Sequence, residues 1–126
     1  MTAPRQRFER WLEGYERAWR TPGTEPLAEL FAAEANYSLG PYEPPVHGVD
    51  AIAGMWDRER AAADEEFTMS AAIVACEGDV AVARVEVVYG EPRPQEYRDL
   101  WVIELDDSGL CTSFEEWPFW PPDTDG

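Results

Sequence analysis

The chain has 126 residues, 44% of them hydrophobic and 13% aromatic, and a formal charge of −16 from 26 acids against 10 basic residues. That length fits a single domain that buries roughly two-thirds of its unfolded surface without needing a disulfide or metal, and the apolar share excludes a disordered chain. A surface so negative repels phosphate backbones and anionic lipid, so no nucleic acid and no membrane partner is expected; the charge reads first as solubility and, more sharply, as attraction for a cationic ligand.

The elements follow in chain order. From Pro4 to Arg20 the apolar residues Phe8, Trp11, Leu12, Tyr15, Ala18 and Trp19 recur at steps of three and one, the pattern of an amphipathic helix. Pro22-Gly23 ends it, and a second helix is expected from Glu25 to Ala33, with Thr24 as N-cap and Leu27, Leu30 and Phe31 facing in. A short strand is expected at Asn36 to Leu39, then the irregular run Gly40-Pro41-Tyr42-Glu43-Pro44-Pro45. A third helix is expected from Asp50 to Ala63, burying Ile52, Met55 and Trp56. The remainder reads as four strands, Phe67 to Cys76, Val80 to Tyr89, Tyr97 to Leu105 and Leu110 to Trp117, separated by turn residues at 77–79, 90–94 and 106–109. Short connections imply antiparallel hairpins, and helices followed by strands imply an α+β fold.

Several chemistries are closed off. All basic residues are arginine, so no side chain can form a Schiff base. Cys76 and Cys111 do not make a disulfide framework, the N-terminus has no apolar stretch of signal-peptide type, and no apolar run is long enough to span a bilayer. A reducing cytoplasm is the expected location. One histidine and two separated cysteines do not make a zinc site, Asp64-Glu65-Glu66 lacks the calcium-loop pattern, and there is no G-x-G-x-x-G, P-loop or G-x-S-x-G. No metal and no cofactor is therefore expected.

The run Leu30-Phe31-Ala32-Ala33-Glu34-Ala35-Asn36-Tyr37, followed by Pro44-Pro45-Val46-His47-Gly48-Val49-Asp50-Ala51-Ile52, resembles the "LFA-x-DA … P-x-x-G-x-x-AI" region of the SnoaL-like, nuclear-transport-factor-2-like superfamily. The element order and the final strand Ser113 to Trp120 are similar too, and the resemblance covers roughly residues 6 to 120. It implies a cone-shaped α+β barrel, three N-terminal helices packed on a curved, mostly antiparallel sheet, enclosing a hydrophobic pocket for a small apolar molecule. It also implies a homodimer paired through the outer sheet face, assigned to Ala83, Val85 and Val87. The superfamily holds isomerases, cyclases, dehydratases, epoxide hydrolases and non-catalytic binders, so fold alone does not give function.

Set against ketosteroid isomerase, Tyr15 falls at the oxyanion tyrosine, but Leu39 stands at the general base and Trp101 at the second oxyanion acid. Steroid isomerisation by that mechanism is therefore not expected. Set against limonene-epoxide hydrolase, Arg84-Val85-Glu86 resembles an Arg-x-Asp pair, Glu116 aligns with the water-activating aspartate, and Tyr37 with a water-holding tyrosine; the partner asparagine is again Leu39.

Alternation along the second long strand puts Val80, Val82, Arg84, Glu86 and Val88 on one face. The resemblance implies that this face looks into the cone, where Arg84 would pair with Glu86 or Glu116. A plain cross-strand ion pair explains these charges equally well. Glu116, Arg84 and Glu86 are the candidate catalytic residues, with Glu116 as general base. Tyr15 and Tyr37 could donate hydrogen bonds to a ligand oxygen, and Trp11, Trp19, Trp56, Trp101 and Trp120 could form core, apolar pocket wall or dimer surface, since core packing accounts equally well for tyrosines and tryptophans at this spacing. Asp99 could sit near the pocket mouth, or be a solvated strand end. His47 is expected to brace its loop.

The leading function is cofactor-independent acid/base chemistry on a small, apolar, oxygenated molecule. The alternatives are a non-catalytic binding protein, and a protein-interaction module using the edge Trp117-Pro118-Phe119-Trp120-Pro121-Pro122.

Overall fold

The computed structural model describes residues 4–21, 23–59, 67–90 and 95–120. The first amphipathic pattern is helix α1, Pro4–Arg20, with Phe8, Trp11, Leu12, Tyr15 and Ala18 buried. Three polar side chains tie it down. Arg5 donates to the Ile73 carbonyl at 2.7 Å, Arg7 to the Asp106 carbonyl at 2.5 Å, and the Trp11 indole N–H to the Leu30 carbonyl at 2.9 Å.

The expected second helix is a single 3-10 turn, Glu25–Glu29, so the described residues form two α-helices rather than three. Thr24 makes no side-chain cap, and Pro26 removes a donor in the first turn. Leu27, Leu30 and Phe31 are buried as expected, but Phe31 already belongs to strand β1, Phe31–Ser38, five residues earlier than its expected start. Strand β2, Val46–His47, pairs antiparallel with β1 and was not anticipated within the proline-rich loop region. Helix α2 is Val49–Glu59; the rest of its expected length lies outside the described residues. Gly48, at φ 92°, sets the entry to α2. Its N–H donates to the Ala35 carbonyl at 2.8 Å and its carbonyl accepts from Ile52 at 3.0 Å, a left-handed conformation that glycine adopts without a Cβ penalty.

Strands β3 (Phe67–Glu77), β4 (Val80–Tyr89), β5 (Gln95–Leu105) and β6 (Cys111–Phe119) follow their expected positions closely. Gly78 and Gly109 take positive φ in the β3–β4 and β5–β6 turns. In the latter turn one Asp106 carboxylate oxygen accepts from the Ser108 N–H, the Ser108 hydroxyl and the Leu110 N–H at 2.9, 2.6 and 3.0 Å. The Ser108 hydroxyl first, and then the backbone donors, hold that carboxyl below its usual range.

The six strands form one curved, unclosed sheet in the order β2-β1-β6-β5-β4-β3. All neighbours are antiparallel except β1 and β6, the second and third strands in that order, which run parallel. The register fixes the two faces. Ala83, Trp101 and Glu116 lie in one row across β4, β5 and β6, and Arg84, Leu100 and Trp117 in the next. Directly paired residues share a face and successive residues alternate, so these two rows project to opposite sides. The inward set of β4 is Ala81, Ala83, Val85 and Val87, all buried, while Arg84 and Glu86 are exposed.

This corrects two expectations. Arg84 and Glu86 do not look into the concave side, and Ala83, Val85 and Val87 are not on the outer face. The physical reason is desolvation. One face of β4 is wholly apolar and the other carries two charges, so burying the apolar face leaves both charges in water.

Candidate functional site

The inward rows of the sheet, together with α1 and α2, surround a cavity of about 410 Å³. Tyr15 and Trp19 reach it from α1 and Met55 from α2; Tyr37 and Leu39 come from the end of β1. Phe67 and Met69 of β3, Val87 and Tyr89 of β4, and Tyr97 and Trp101 of β5 line the sheet side. Glu116 and Pro118 of β6, with Trp120, complete the wall. Glu116 is the one charged side chain among these described lining residues, carried there by its row with Trp101.

The polar centre is a pair of hydroxyls. Tyr15 and Tyr37 are 6% and 2% exposed, and their oxygens stand 2.9 Å apart, either able to donate. Around them the rings are tightly placed. Tyr15 stacks on Phe114 at 5.7 Å and meets Trp101 at 4.6 Å, and Tyr37 meets Phe114 at 4.5 Å. Burial is the largest cause pushing both hydroxyls well above the ordinary tyrosine value, and the Glu116 carboxylate pushes them in the same direction. Tyr97 is raised too, by burial first, then by Tyr89, and more weakly by Glu116 and Asp99. The three phenols are therefore neutral hydrogen-bond donors at neutral pH.

Asp99 is not a solvated strand end. It is 2% exposed, opposite Val85 and Pro118, with Oδ2 accepting from the Trp101 indole N–H at 2.9 Å. Its other oxygen, Oδ1, is buried without a hydrogen-bond partner among the described residues. Asp99 lies beneath the wall formed by Tyr97, Trp101 and Pro118 rather than lining the cavity itself.

The remaining candidates separate clearly. Trp56 is buried behind the wall, against Tyr15 at 5.1 Å and Trp19 at 4.7 Å between ring centroids. Trp120 lines the cavity yet is 60% exposed, at its rim. Glu86 pairs with Arg98 at 3.0 Å on the outer face, directly across the β4–β5 ladder. Arg84, Glu86 and Glu116 thus do not converge. His47 is exposed, its Nδ1 2.9 Å from the Asn36 side-chain oxygen, bracing β2 against β1. Trp117 turns to the outer face, where its indole donates to Glu115.

Sequence reasoning missed the lining residues Met55, Phe67, Met69, Val87, Tyr89, Tyr97 and Pro118. The signal was present for two of them, since Tyr97 shares a strand face with Trp101, and Met69 shares one with Phe67. A second, shallower concavity of about 570 Å³ lies between α1, the 3-10 turn and the β5–β6 turn, edged by Arg7, Arg10 and Arg17. Among the described residues no three His, Cys, Asp or Glu side chains gather as a metal site, and no helix is long and apolar enough to cross a membrane.

Comparison with solved structures places this geometry in a known architecture. A structure from Kribbella flavida DSM 17836 named for ketosteroid isomerase superposes with a TM-score of 0.66 at 21% identity, covering 98% of this chain and 81% of its own. An LEH-like epoxide hydrolase from M. tuberculosis gives 0.68 at 13% identity, covering 93% and 86%. The CaMKII hub of S. rosetta gives 0.67 at 14% identity, covering 94% and 99%. At such identities the likeness is one of fold. A sequence search of curated proteins returned no match. The SnoaL-like domain model matches residues 9–114, from within α1 to the first residues of β6: the chain belongs to the SnoaL-like domain family.

Proposed function

We propose that this single-domain protein binds a small, largely apolar, oxygenated molecule in the cavity and performs acid/base chemistry on it without a cofactor. The observation that carries this reading is the buried Tyr15–Tyr37 hydroxyl pair beside the Glu116 carboxylate. Two hydroxyls own two protons, and the bond between them uses one. The second is available to a ligand oxygen, where it would stabilise developing negative charge. Glu116 is the proton acceptor, or the group that activates a water. Because the reading gives Arg84 and Glu86 no contact with the ligand, Glu116 acts without them. Isomerisation, cyclisation, dehydration and epoxide opening all fit a donor pair facing one carboxylate.

A non-catalytic binder is the second reading. It is favoured by Leu39, an apolar side chain on the cavity wall at the position of the general base in ketosteroid isomerases. One experiment separates the two. A ligand is found by thermal-shift screening, and turnover and affinity are compared for the wild type and Glu116→Gln. Lost turnover with retained binding supports catalysis. A ligand that binds both proteins and is turned over by neither supports the binder.

The same reading pairs two copies through the outer sheet face. Exposed Val88 and Phe119 there flank the Glu86–Arg98 pair. Sedimentation equilibrium tests this, and a monomer at micromolar concentration would overturn it.

A further inference from the structure

Strand β3 is the last strand on one side of the sheet, so one row of its backbone groups faces away from β4. The ladder register identifies that row. The Leu105 N–H donates to the Asp79 carbonyl at 2.9 Å, one pair beyond Val80–Glu104. Counting on in twos, Ala81, Ala83, Val85 and Val87 direct their backbone bonds at β5, and Arg84, Glu86 and Val88 direct theirs at β3. The β3 partners of the latter, Ala72, Ser70 and Thr68, therefore face β4, while Met69, Ala71 and Ile73 turn N–H and C=O to the open side. The Ile73 carbonyl agrees, since it accepts from the Arg5 side chain of α1 at 2.7 Å. Among the described residues no other hydrogen bond reaches these outward groups.

An open edge accepts another strand unless charge, proline or shape prevents it. Phe67 to Cys76 is the longest run of the chain without a charged residue, and it holds no proline. Ser70, Ala71 and Ala72 are small and exposed, so a second backbone can approach closely. Two features limit the edge. The register slips between Ile73 and Ala75, where Val74 is 53% exposed, and this bends the strand beyond Ile73. Arg5 occupies the last outward carbonyl before that bulge. The occupant that suits the edge is the same strand of another copy. With a charge of −16, two copies repel over most of their surface, and along this run they meet without opposed carboxylates. Antiparallel pairing about a two-fold axis at Ala71 sets Met69 of one copy against Ile73 of the other and gives each outward N–H a carbonyl. The acceptor for Met69 is the Ile73 carbonyl, the one that Arg5 already holds.

We propose that the outward edge of β3 is a pairing surface for a second copy of this chain, and that Arg5 holds it closed. The contact joins two sheets edge to edge. It is separate from any pairing through the outer sheet face and does not depend on what the cavity binds.

Sedimentation equilibrium and amide hydrogen exchange on the full chain test this, with wild type, Arg5→Ala and Arg5→Ala/Ala71→Lys at matched concentrations. Arg5→Ala is expected to double the mass of the wild-type species at a concentration at least tenfold below that at which the wild type does so. In that state the Met69, Ala71 and Ile73 amides should gain protection, while those of Thr68, Ser70 and Ala72, already bonded to β4, stay protected. Ala71→Lys sets like charges face to face on the two-fold axis and should return the mass to the wild-type value. The exchange pattern of Arg5→Ala decides the matter even if the lysine variant folds poorly. An Arg5→Ala chain with the wild-type mass at every concentration overturns the inference. So does association that survives Ala71→Lys in a folded chain, or that leaves the outward amides exchanging freely. Protection of those amides at unchanged mass would place another segment of the same chain on the edge and overturns the pairing of copies. Loss of protection at Thr68, Ser70 and Ala72 would mean that Arg5 pins β3 in place instead of blocking its edge, and overturns it too.

Discussion

The Tyr15 hydroxyl on α1 and the Tyr37 hydroxyl on β1 meet at 2.9 Å in a place that water scarcely reaches. That contact joins the helix layer to the parallel β1–β6 pair of the sheet, and both rings also line the cavity. The proposed ligand contact therefore falls on the same two oxygens that tie α1 to β1.

Removing either hydroxyl leaves the other with one partner fewer in a desolvated site. Tyr15→Phe and Tyr37→Phe should each lower the unfolding free energy by about 1–2 kcal/mol. The double variant should cost less than the sum, because the second deletion removes a group already deprived of its partner. Urea unfolding of the four proteins measures this. Strict additivity would mean that the two oxygens do not interact.

Alkaline pH provides a second test, and its sign follows from the raised phenols. The folded values of Tyr15, Tyr37 and Tyr97 lie above the ordinary 10.0, so the unfolded chain releases these protons first as pH rises. Above that point the unfolded state binds fewer protons than the folded state, and stability falls. Each phenol contributes a slope of up to about 1.4 kcal/mol per pH unit. Burial also pushes Cys111 from 9.0 up to about 12, which begins the loss about one unit earlier. The chain has no lysine to obscure this window. Stability should be flat with respect to these groups below pH 9 and fall progressively above it. Full tyrosinate absorbance in a protein that retains its native circular dichroism would contradict the burial argument.

The same raised thiol predicts selective chemistry. Cys111 is fully buried, with Sγ 3.2 Å from the Ser113 carbonyl oxygen, whereas Cys76 is partly exposed. A disulfide reagent at pH 8 should modify one thiol per native chain, at Cys76, and a second only after denaturant is added. Peptide mapping of the modified chain identifies which cysteine reacted. Rapid modification of Cys111 in the native protein would show that the β6 end of the sheet opens readily.

Much of the fold was legible because its signals are local. The α1 stripe, the four long strands and the turns at 77–79 and 106–109 follow from periodicity and turn residues, and each fell within about two residues of its expected bounds, while most of the turn expected at 90–94 lies outside the described residues. The segment Glu25–Phe31 was not, since its apolar spacing suits a helix, and only packing decides that it becomes a 3-10 turn running into β1. The site was half legible. Tyr15, Tyr37, Trp101, Trp120 and Glu116 were read onto the cavity and do line it. Arg84 and Glu86 were carried there by the family resemblance, against a local rule that pointed the other way. The alternate set Ala81, Ala83, Val85 and Val87 contains no polar atom beyond the backbone, and a strand with one clean apolar face buries that face. Asp99 shows the converse. It is an acid on an apolar strand face, and its burial could be known only once Trp101 was seen to donate to it.

Opposite faces predict opposite consequences for Arg84 and Glu116. Arg84 is exposed and shares its row with Leu100 and Trp117, on the far side of the sheet from the cavity. Arg84→Ala should change the affinity of any cavity ligand by less than twofold, and monomer stability by about 0.5 kcal/mol or less. Glu116→Gln keeps the size of the side chain and removes its charge within the wall, so it should change ligand affinity or turnover while the fold stands. Calorimetry on the two variants with one ligand makes the comparison. A larger binding loss from Arg84→Ala than from Glu116→Gln would require β4 to be turned over. That is a one-residue shift in register, which would also bury Glu86 and expose Val85.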